Sequence, residues 1–550
     1  MDSRQRIMLI IGVVSLAFLG LALGVWQMGL RFANFMQITQ AKTMAAAQMA
    51  ENLPVKAGHL FTNDEVYTFL AAAKKAELIN DPLQACLAYP DPPRSHWSPA
   101  AVAAYCHYRT QPLMSFADIQ TLIQNGQAAE LDQRMARMLA ANTQPYSRGV
   151  LDRTFEQNFN GSFDVRQTLD AWKRAQPNSA FAYAASGYAY ENMASDARGD
   201  QYIKDTPASN IESMKRLMQQ ADTDLRQAIA LNSHITPVYL AMIHAGAMDS
   251  GDFAANYVED AGRTGLAVDP ANYSLYDAMM WQAEPRWGGS IGAMQQINAA
   301  AQTHASENPV LVLLQSKTPG YDKLDHCDCH SEVQLATYST IFDQVSSARQ
   351  LLNAGHAAEL SRNLELAVVY FSEALRFDQT LSNERLRRAF DLNNFDESQW
   401  AVDEATRLMQ AAPGDEDPVM ARAWSYEMLT DYTHAEQDLQ AALAINPNDK
   451  RVLSELAGMY VNQTHQWDKG WITTGNLIKA YPNDAYGWIL RADIQEHQPR
   501  AGLQDTIDFF ATHFDDTPKH HGALLRMRAA LALQPKSVGQ ANPAKVPSHG

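Results

Sequence analysis

The 550-residue sequence predicts an all-α protein with an N-terminal transmembrane helix, a helical middle domain and a C-terminal α-solenoid of helical hairpins. Three observations predict it. Residues 7–30 are apolar and carry no charge. The body of the chain spaces its apolar residues by three and four, with no alternating strand pattern. The last third repeats small and bulky residues at a period of 34.

The bulk numbers bound the rest. A chain this long needs two or three cores. Acids outnumber bases by 61 to 44, a formal charge of -17. Such a chain repels phosphate backbones unless a local basic stripe intervenes. No run of Lys or Arg supplies one, so nucleic acid is excluded as an expected partner.

Residues 7–30 read IMLIIGVVSLAFLGLALGVWQMGL. As a helix they span roughly 36 Å, enough to cross a hydrocarbon core with some tilt. Trp26 stands near one end, where an interfacial aromatic belongs. A cleavable signal peptide is the rival reading, but its apolar stretch is usually shorter. The nearest small-residue cleavage pattern, Ala45–Ala47, lies well past the apolar run. In the short flank 1–6, Arg4 and Arg6 outweigh Arg31 on the other side. That bias places the N-terminus in the cytoplasm and the bulk of the chain outside it. In a Gram-negative bacterium this means the inner membrane, with the chain periplasmic. Gly20 and Gly24 form a small-xxx-small pair through which two anchors could pack as a homodimer.

Residues 31–112 read as a helical stalk and a Pro-rich loop from Asp81 to Pro99. The loop separates Cys86 from Cys106. Two helices joined by it would bring these thiols together as a disulfide outside the cytosol. Two separate buried thiols are the alternative.

Residues 113–320 carry a helical pattern. Small and aromatic residues alternate at 180–190, and Lys215–Leu231 has a three-to-four apolar spacing that Asn232 and Pro237 end. Pro285, Arg286, Trp287, Gly288 and Gly289 form the sharpest local string, with Ser290 following. Such a turn can offer backbone N–H groups to an anion. It also fits a tight inter-helix turn, with Trp287 in a core and Ser290 as an N-cap. It lacks the spacing of a dinucleotide or phosphate-loop fingerprint.

Several of these strings resemble a bacterial domain-of-unknown-function family, number 4034, over roughly 200 residues within 113–320. They are Ala171-Trp172 with Pro177–Ser179, then Ala197–Gly199, then Tyr273–Tyr276 leading to Pro285–Gly289. Ser195 departs from the aromatic that the family pattern has three residues before the Arg. The resemblance implies a helical domain and brings no catalytic residues.

In the connector 321–346, His326, Cys327, Asp328, Cys329 and His330 form a dense group of soft ligands. Thiolates and imidazoles suit zinc or copper. The one-residue gap between the cysteines does not match usual zinc or haem spacings. An idle polar loop is the blander reading.

Residues 347–513 carry the period. Ala367, Ala401 and Ala435 are 34 apart, as are Gly355, Ala389 and Ala423. Phe371, Ala405 and Leu439 follow the first set by four, and Ala374, Leu408 and Ala442 follow by seven. Pro413 and Pro447 end successive pairs, and Tyr426 and Tyr460 share the period. Period and residue types resemble tetratricopeptide repeats. Small residues let two antiparallel helices approach, and each hairpin leaves an apolar face that a neighbour covers. A fourth unit from Leu453 to Pro482 has one extra residue, expected in the turn near His465–Trp467. A fifth, from Trp488 through Phe509, is degenerate. Residues 514–534 read as a capping helix and 535–550 as a disordered tail.

No G-x-S-x-G, H-E-x-x-H or supported S-x-x-K string is present. The expectation is therefore an interaction scaffold rather than an enzyme. It is membrane-anchored and needs no cofactor. It holds a protein or peptide in the repeat groove, in a role such as envelope assembly or secretion. A metal-binding sensor or enzyme built on His326–His330 or on the Pro285–Gly289 turn is the alternative.

Overall fold

The structure, a computed structural model, describes residues 61–199, 201, 205–248, 252–319, 321, 324, 332–498 and 500–533. The apolar segment 7–30 with Gly20 and Gly24, the His326–His330 group and the tail 535–550 lie outside the described residues. Among the described residues every regular element is helical, and no helix is long and apolar enough to cross a membrane.

The chain divides into two compact units after Thr380. The N-terminal unit runs α1 (Asn63–Glu77), α2 (Pro82–Ala88), α3 (Pro99–Thr110), α4 (Phe116–Gln124), α5 (Ala128–Ala141), α6 (Val150–Asn158) and α7 (Phe163–Ala175). It continues through α8 (Ala180–Arg198), α9 (Ala208–Leu231), α10 (Thr236–Met248), α11 (Asp252–Val268), α12 (Tyr273–Gln282) and α13 (Ile291–Gln302). Then come α14 (Glu332–Ile341), α15 (Ala348–Leu360) and α16 (Leu364–Phe377).

The Asp81–Pro99 stretch is not a continuous loop, because α2 forms inside it. Asp81 accepts a hydrogen bond from Gln84 N, and Pro82 sits where a helix needs no N–H. Cys86 on α2 and Cys106 on α3 are joined as a disulfide, with Cα atoms 5.7 Å apart.

Residues 61–112 do not stand off as a stalk either. α1, α2 and α3 all pack on α16, which is buried at every position from Leu366 to Phe377. Arg376 on α16 donates to the carbonyl of Cys86 at 3.0 Å and pairs with Asp91 at 2.9 Å. Trp97 Nε1 donates to the carbonyl of Phe342, and Tyr105 Oη accepts from Ala348 N. This burial is the reason the division falls after the first repeat hairpin, α15–α16, and not at the connector 321–346.

In the middle of this unit α8 and α9 make the closest pair. Gly187 allows it, since a Cβ there would lie 2.6 Å from Leu225 Cγ. Trp172 is fully buried and donates to Asp132 at 2.9 Å, and Ser179 caps α8.

The C-terminal unit is a stack of hairpins. It runs α17 (Ser382–Leu392), α18 (Ser398–Ala411), α19 (Glu416–Met428), α20 (Tyr432–Ile445) and α21 (Lys450–Gly458). Then come α22 (Trp467–Ala480), α23 (Ala485–His497), α24 (Leu503–His513) and a last helix α25 (Pro518–Leu533). The first helices of successive hairpins begin at 348, 382, 416, 450 and 485, so the period of the sequence is the period of the hairpins.

The turn inside each hairpin repeats as well. Arg362, Asp396, Thr430 and His465 are left-handed, with φ of 57°, 58°, 58° and 52°. The following N–H bonds back across the turn, Asn363 to Ala358 and Asp431 to Tyr426 at 2.8 Å, Glu397 to Leu392 at 3.2 Å. This is the six-to-one bond of a Schellman motif. In the fourth hairpin the matching bond runs from Gln466 to Tyr460, one residue farther. A π-helical turn, Met459–Gln463, takes up the extra residue there, just before the turn at His465–Trp467 where it was expected.

Candidate protein-docking face

The period sorts each hairpin's first helix into a buried and an open side. Ala389, Ala423, Ala457 and Ala492 are buried on α17, α19, α21 and α23. The next residue in each case, Phe390, Trp424, Gly458 and Asp493, turns toward the other side, where Gly458 is itself buried. Phe390 and Trp424 are half-buried, with ring centroids 5.5 Å apart, and join neighbouring first helices. Gly458 leaves room for a side chain from the next hairpin, since a Cβ there would lie 2.7 Å from Tyr486 Oη.

One turn away carboxylates occupy this side, Glu427 three residues after Trp424 and Glu455 three residues before Gly458. Glu427 on α19 and Glu455 on α21 bring their carboxyls into hydrogen-bonding contact. Glu427 Oε1 is buried and meets no hydrogen-bond donor. Burial, with Glu455 beside it, pushes the Glu427 carboxyl up to about 8. Burial also raises Glu455. Asp493 on α23 is raised by burial and by Glu496, against the pull of Arg526 and His497.

Other acids of this unit are neutralised between helices. Glu404 receives Arg385, Arg388 and Arg407, and Arg388 lies 4.7 Å over the ring of Trp400. Arg422 forks onto Asp438 at 2.8 and 2.7 Å. Among the described residues no such cation acts on Glu427 or Glu455.

Beside Asp493 a cavity of about 300 Å³ opens between α23 and α25. Ile489, Asp493 and Glu496 line it on one side, and Ala523, Arg526 and Met527 on the other. The arrangement can hold an elongated ligand by aromatic contact and by carboxylates.

The sequence singled out the packed interior of the hairpins, mostly on their second helices. Ala367, Phe371 and Ala374 are fully buried in the N-terminal unit, as are Ala401, Ala435, Leu439 and Ala442 in the C-terminal one. Gly355 sits under Phe371, whose Cδ1 would lie 2.5 Å from an added Cβ. Tyr426 is not core. It is half-buried, stacks on His434 at 5.1 Å and lies under Arg422. Pro447 follows the C-cap Asn446 and is exposed.

Within the Pro285–Gly289 turn, Pro285–Trp287 form a short 3-10 helix that the left-handed Gly288 ends. Trp287 is 42% exposed and leans on Trp281 at 5.2 Å, so it is not packed into a core as expected. Ser290 caps α13 by accepting from Ala293 N. Gly288 N and Gly289 N donate to the carbonyls of Pro285 and Glu284, which leaves neither free for an anion. Gly289 is required there, since a Cβ would lie 2.1 Å from the Ala283 carbonyl oxygen.

Residues Phe390, Trp424, Glu427 and Glu455 were not picked out from sequence. The available signal was their place beside the small position of each first helix: Phe390 and Trp424 follow Ala389 and Ala423 by one, Glu427 follows Ala423 by four, and Glu455 precedes Ala457 by two.

No family model matches the chain, so the resemblance at 171–289 to family 4034 remains an expectation. No curated protein matches it. Among solved structures, the chain is similar to yeast Tom70 at 10% identity and a TM-score of 0.30, covering 74% of this chain and 96% of that one. It is also similar to the P58(IPK) TPR domain at 11% identity and a TM-score of 0.21, covering 68% and 94%. Overlap is low in both cases, and the repeat assignment rests on the chain's own hairpins.

Proposed function

We propose that the protein is a membrane-anchored scaffold that holds a protein partner on the open side of α17, α19, α21 and α23. One observation carries this reading: Glu427, with a carboxyl oxygen that is buried and meets no donor, sits one turn after Trp424, whose half-buried ring meets Phe390 of the adjacent first helix at 5.5 Å. A face kept only for solvation would spread its like charges and bury its rings.

The anchor is residues 7–30, supported by their length and freedom from charge. Gly20 and Gly24 fit a homodimer of anchors. The Cys86–Cys106 bridge supports an oxidising compartment, hence a periplasmic location for the bulk of the chain. Envelope assembly or secretion suits a tethered holder of this kind.

The test is site-specific photocrosslinking in cells. A photoreactive residue at Trp424 should capture a recurrent partner, and one at the exposed Gln437 of the second-helix row should not. Equal capture at both positions, or at neither, removes the face from the function.

A further inference from the structure

The last described helix breaks the pattern of a cap. A repeat stack closes on a helix with a polar outer side, because no further unit covers an apolar one. α25 packs Ala523, Leu524, Met527 and Ala530 toward α23 and α24. At 3.6 residues per turn its opposite side carries Leu525, Ala529, Ala532 and Leu533, spaced by four and three. Leu525 is 52% and Leu533 84% exposed, and both alanines are exposed. α25 thus has two apolar stripes on opposite sides, and only one of them is packed.

Cations border the open stripe. Lys519 and Arg526 stand along one edge, His521 and Arg528 along the other, all of them exposed. Among the described residues Lys519 and Arg528 enter no ion pair. Arg526 also borders the cavity that Asp493 and Glu496 line. Asp515 and Asp516, just before the helix, are taken by His521 and His520 at 2.8 Å. From Thr517 onward the sequence holds five lysines and arginines and no Asp or Glu, in a chain of formal charge -17.

An apolar stripe edged on both sides by cations suits a helix lying flat in a membrane surface. Its leucines enter the acyl boundary, and its long basic side chains reach back to the lipid phosphates. A protein partner fits this stripe less well. A stable protein interface buries about 800 Å² a side, and two leucines and two alanines supply a small part of that. We propose that α25 is an interfacial helix that lays Leu525, Ala529, Ala532 and Leu533 into an anionic lipid bilayer, with Lys519, Arg526 and Arg528 on the lipid phosphates. At 16 residues it lies along the membrane and does not cross it. This contact is separate from the anchor read at 7–30 and from the docking face on α17, α19, α21 and α23.

The experiment reconstitutes the full chain in vesicles of phosphatidylcholine alone or with a third phosphatidylglycerol. A genetically encoded, environment-sensitive fluorophore replaces Ala532 or, in a second sample, Asn476, which is exposed on α22. At 532 the emission is expected to shift to the blue and brighten at least twofold when phosphatidylglycerol is present. At 476 it should be the same in both lipids. Arg526→Gln/Arg528→Gln should abolish the response at 532. Arg349→Gln/Lys479→Gln, which removes the same charge from other exposed positions, should keep it. Leu525→Gln/Leu533→Gln replaces no buried residue and should abolish it as well. Circular dichroism of each variant separates loss of the response from loss of fold.

Equal emission at 532 in the two lipids, or an identical loss in the two charge variants, overturns the proposal. So does a blue shift in detergent that grows with protein concentration, which assigns the stripe to a second copy of the chain. A shift produced by a polyglutamate peptide without lipid overturns it too, in favour of an acidic protein partner. A chain that floats only with the phosphatidylglycerol vesicles, with 532 shifted, supports the helix and removes the anchor. A chain that floats with both while 532 stays unshifted removes the helix and keeps the anchor.

Discussion

Thr430 is exposed and β-branched, yet it stands at φ 58° in the hairpin turn between α19 and α20. A β-branched residue meets its own backbone in that region, at a cost of about 1 kcal/mol or more relative to glycine. The turn imposes it, because the Asp431 N–H must reach the Tyr426 carbonyl at 2.8 Å. Thr430→Gly is therefore expected to stabilise the C-terminal unit by about 1 kcal/mol, seen as a higher urea midpoint at unchanged slope. A lower midpoint would mean that the threonine side chain contributes something the turn geometry does not show. Arg362, Asp396 and His465 occupy the same turn position. Their shared conformation is invisible in composition, since four different residue types adopt it.

At the scale of the hairpin, small and bulky residues trade places across one contact. The first repeat pairs Gly355 with Phe371, and the second has Ala389 and Ala405 at the same two positions, all four fully or nearly fully buried. The two repeats fill this contact with side chains of different size. Gly355→Ala alone should cost about 1–3 kcal/mol by overpacking. Phe371→Ala alone should cost about 3–5 kcal/mol through the cavity it leaves. The double variant reproduces the pair of the second repeat and should cost less than the sum by at least about 0.5 kcal/mol. Calorimetric unfolding of the four proteins measures the coupling, and strict additivity would show that the two positions do not share one volume. The period alone marks these positions as small or bulky. It does not say that Gly355 is there because of Phe371.

Across the whole molecule, the disulfide belongs to one unit only. It closes a loop of 20 residues between α2 and α3 and holds both against α16. Cross-linking a loop of this size limits the unfolded chain by about 3 kcal/mol. Reduction should lower the melting transition of the N-terminal unit and leave that of the C-terminal unit in place. Differential scanning calorimetry with and without reductant reads both, and a shift of both transitions together would show that the units unfold as one.

The sequence by itself determined the helical class, the 34-residue period and which positions of each hairpin are small, because those follow from local spacing and from the volume two helices leave between them. Prolines and caps marked the ends of hairpins for the same local reason. Only the tertiary structure decided what covers what. α1–α3 seal α16 through contacts such as Arg376 with Cys86 and Asp91, nearly 300 residues apart in the chain, and no local pattern encodes such a pairing. Trp287, expected in a core, is 42% exposed and leans on Trp281, a contact made between α12 and the turn that follows it. The docking face came from the same source. Glu427 and Glu455 read as ordinary solvated acids along the chain, and only the packing of α19 beside α21 brings their carboxyls together without a cation.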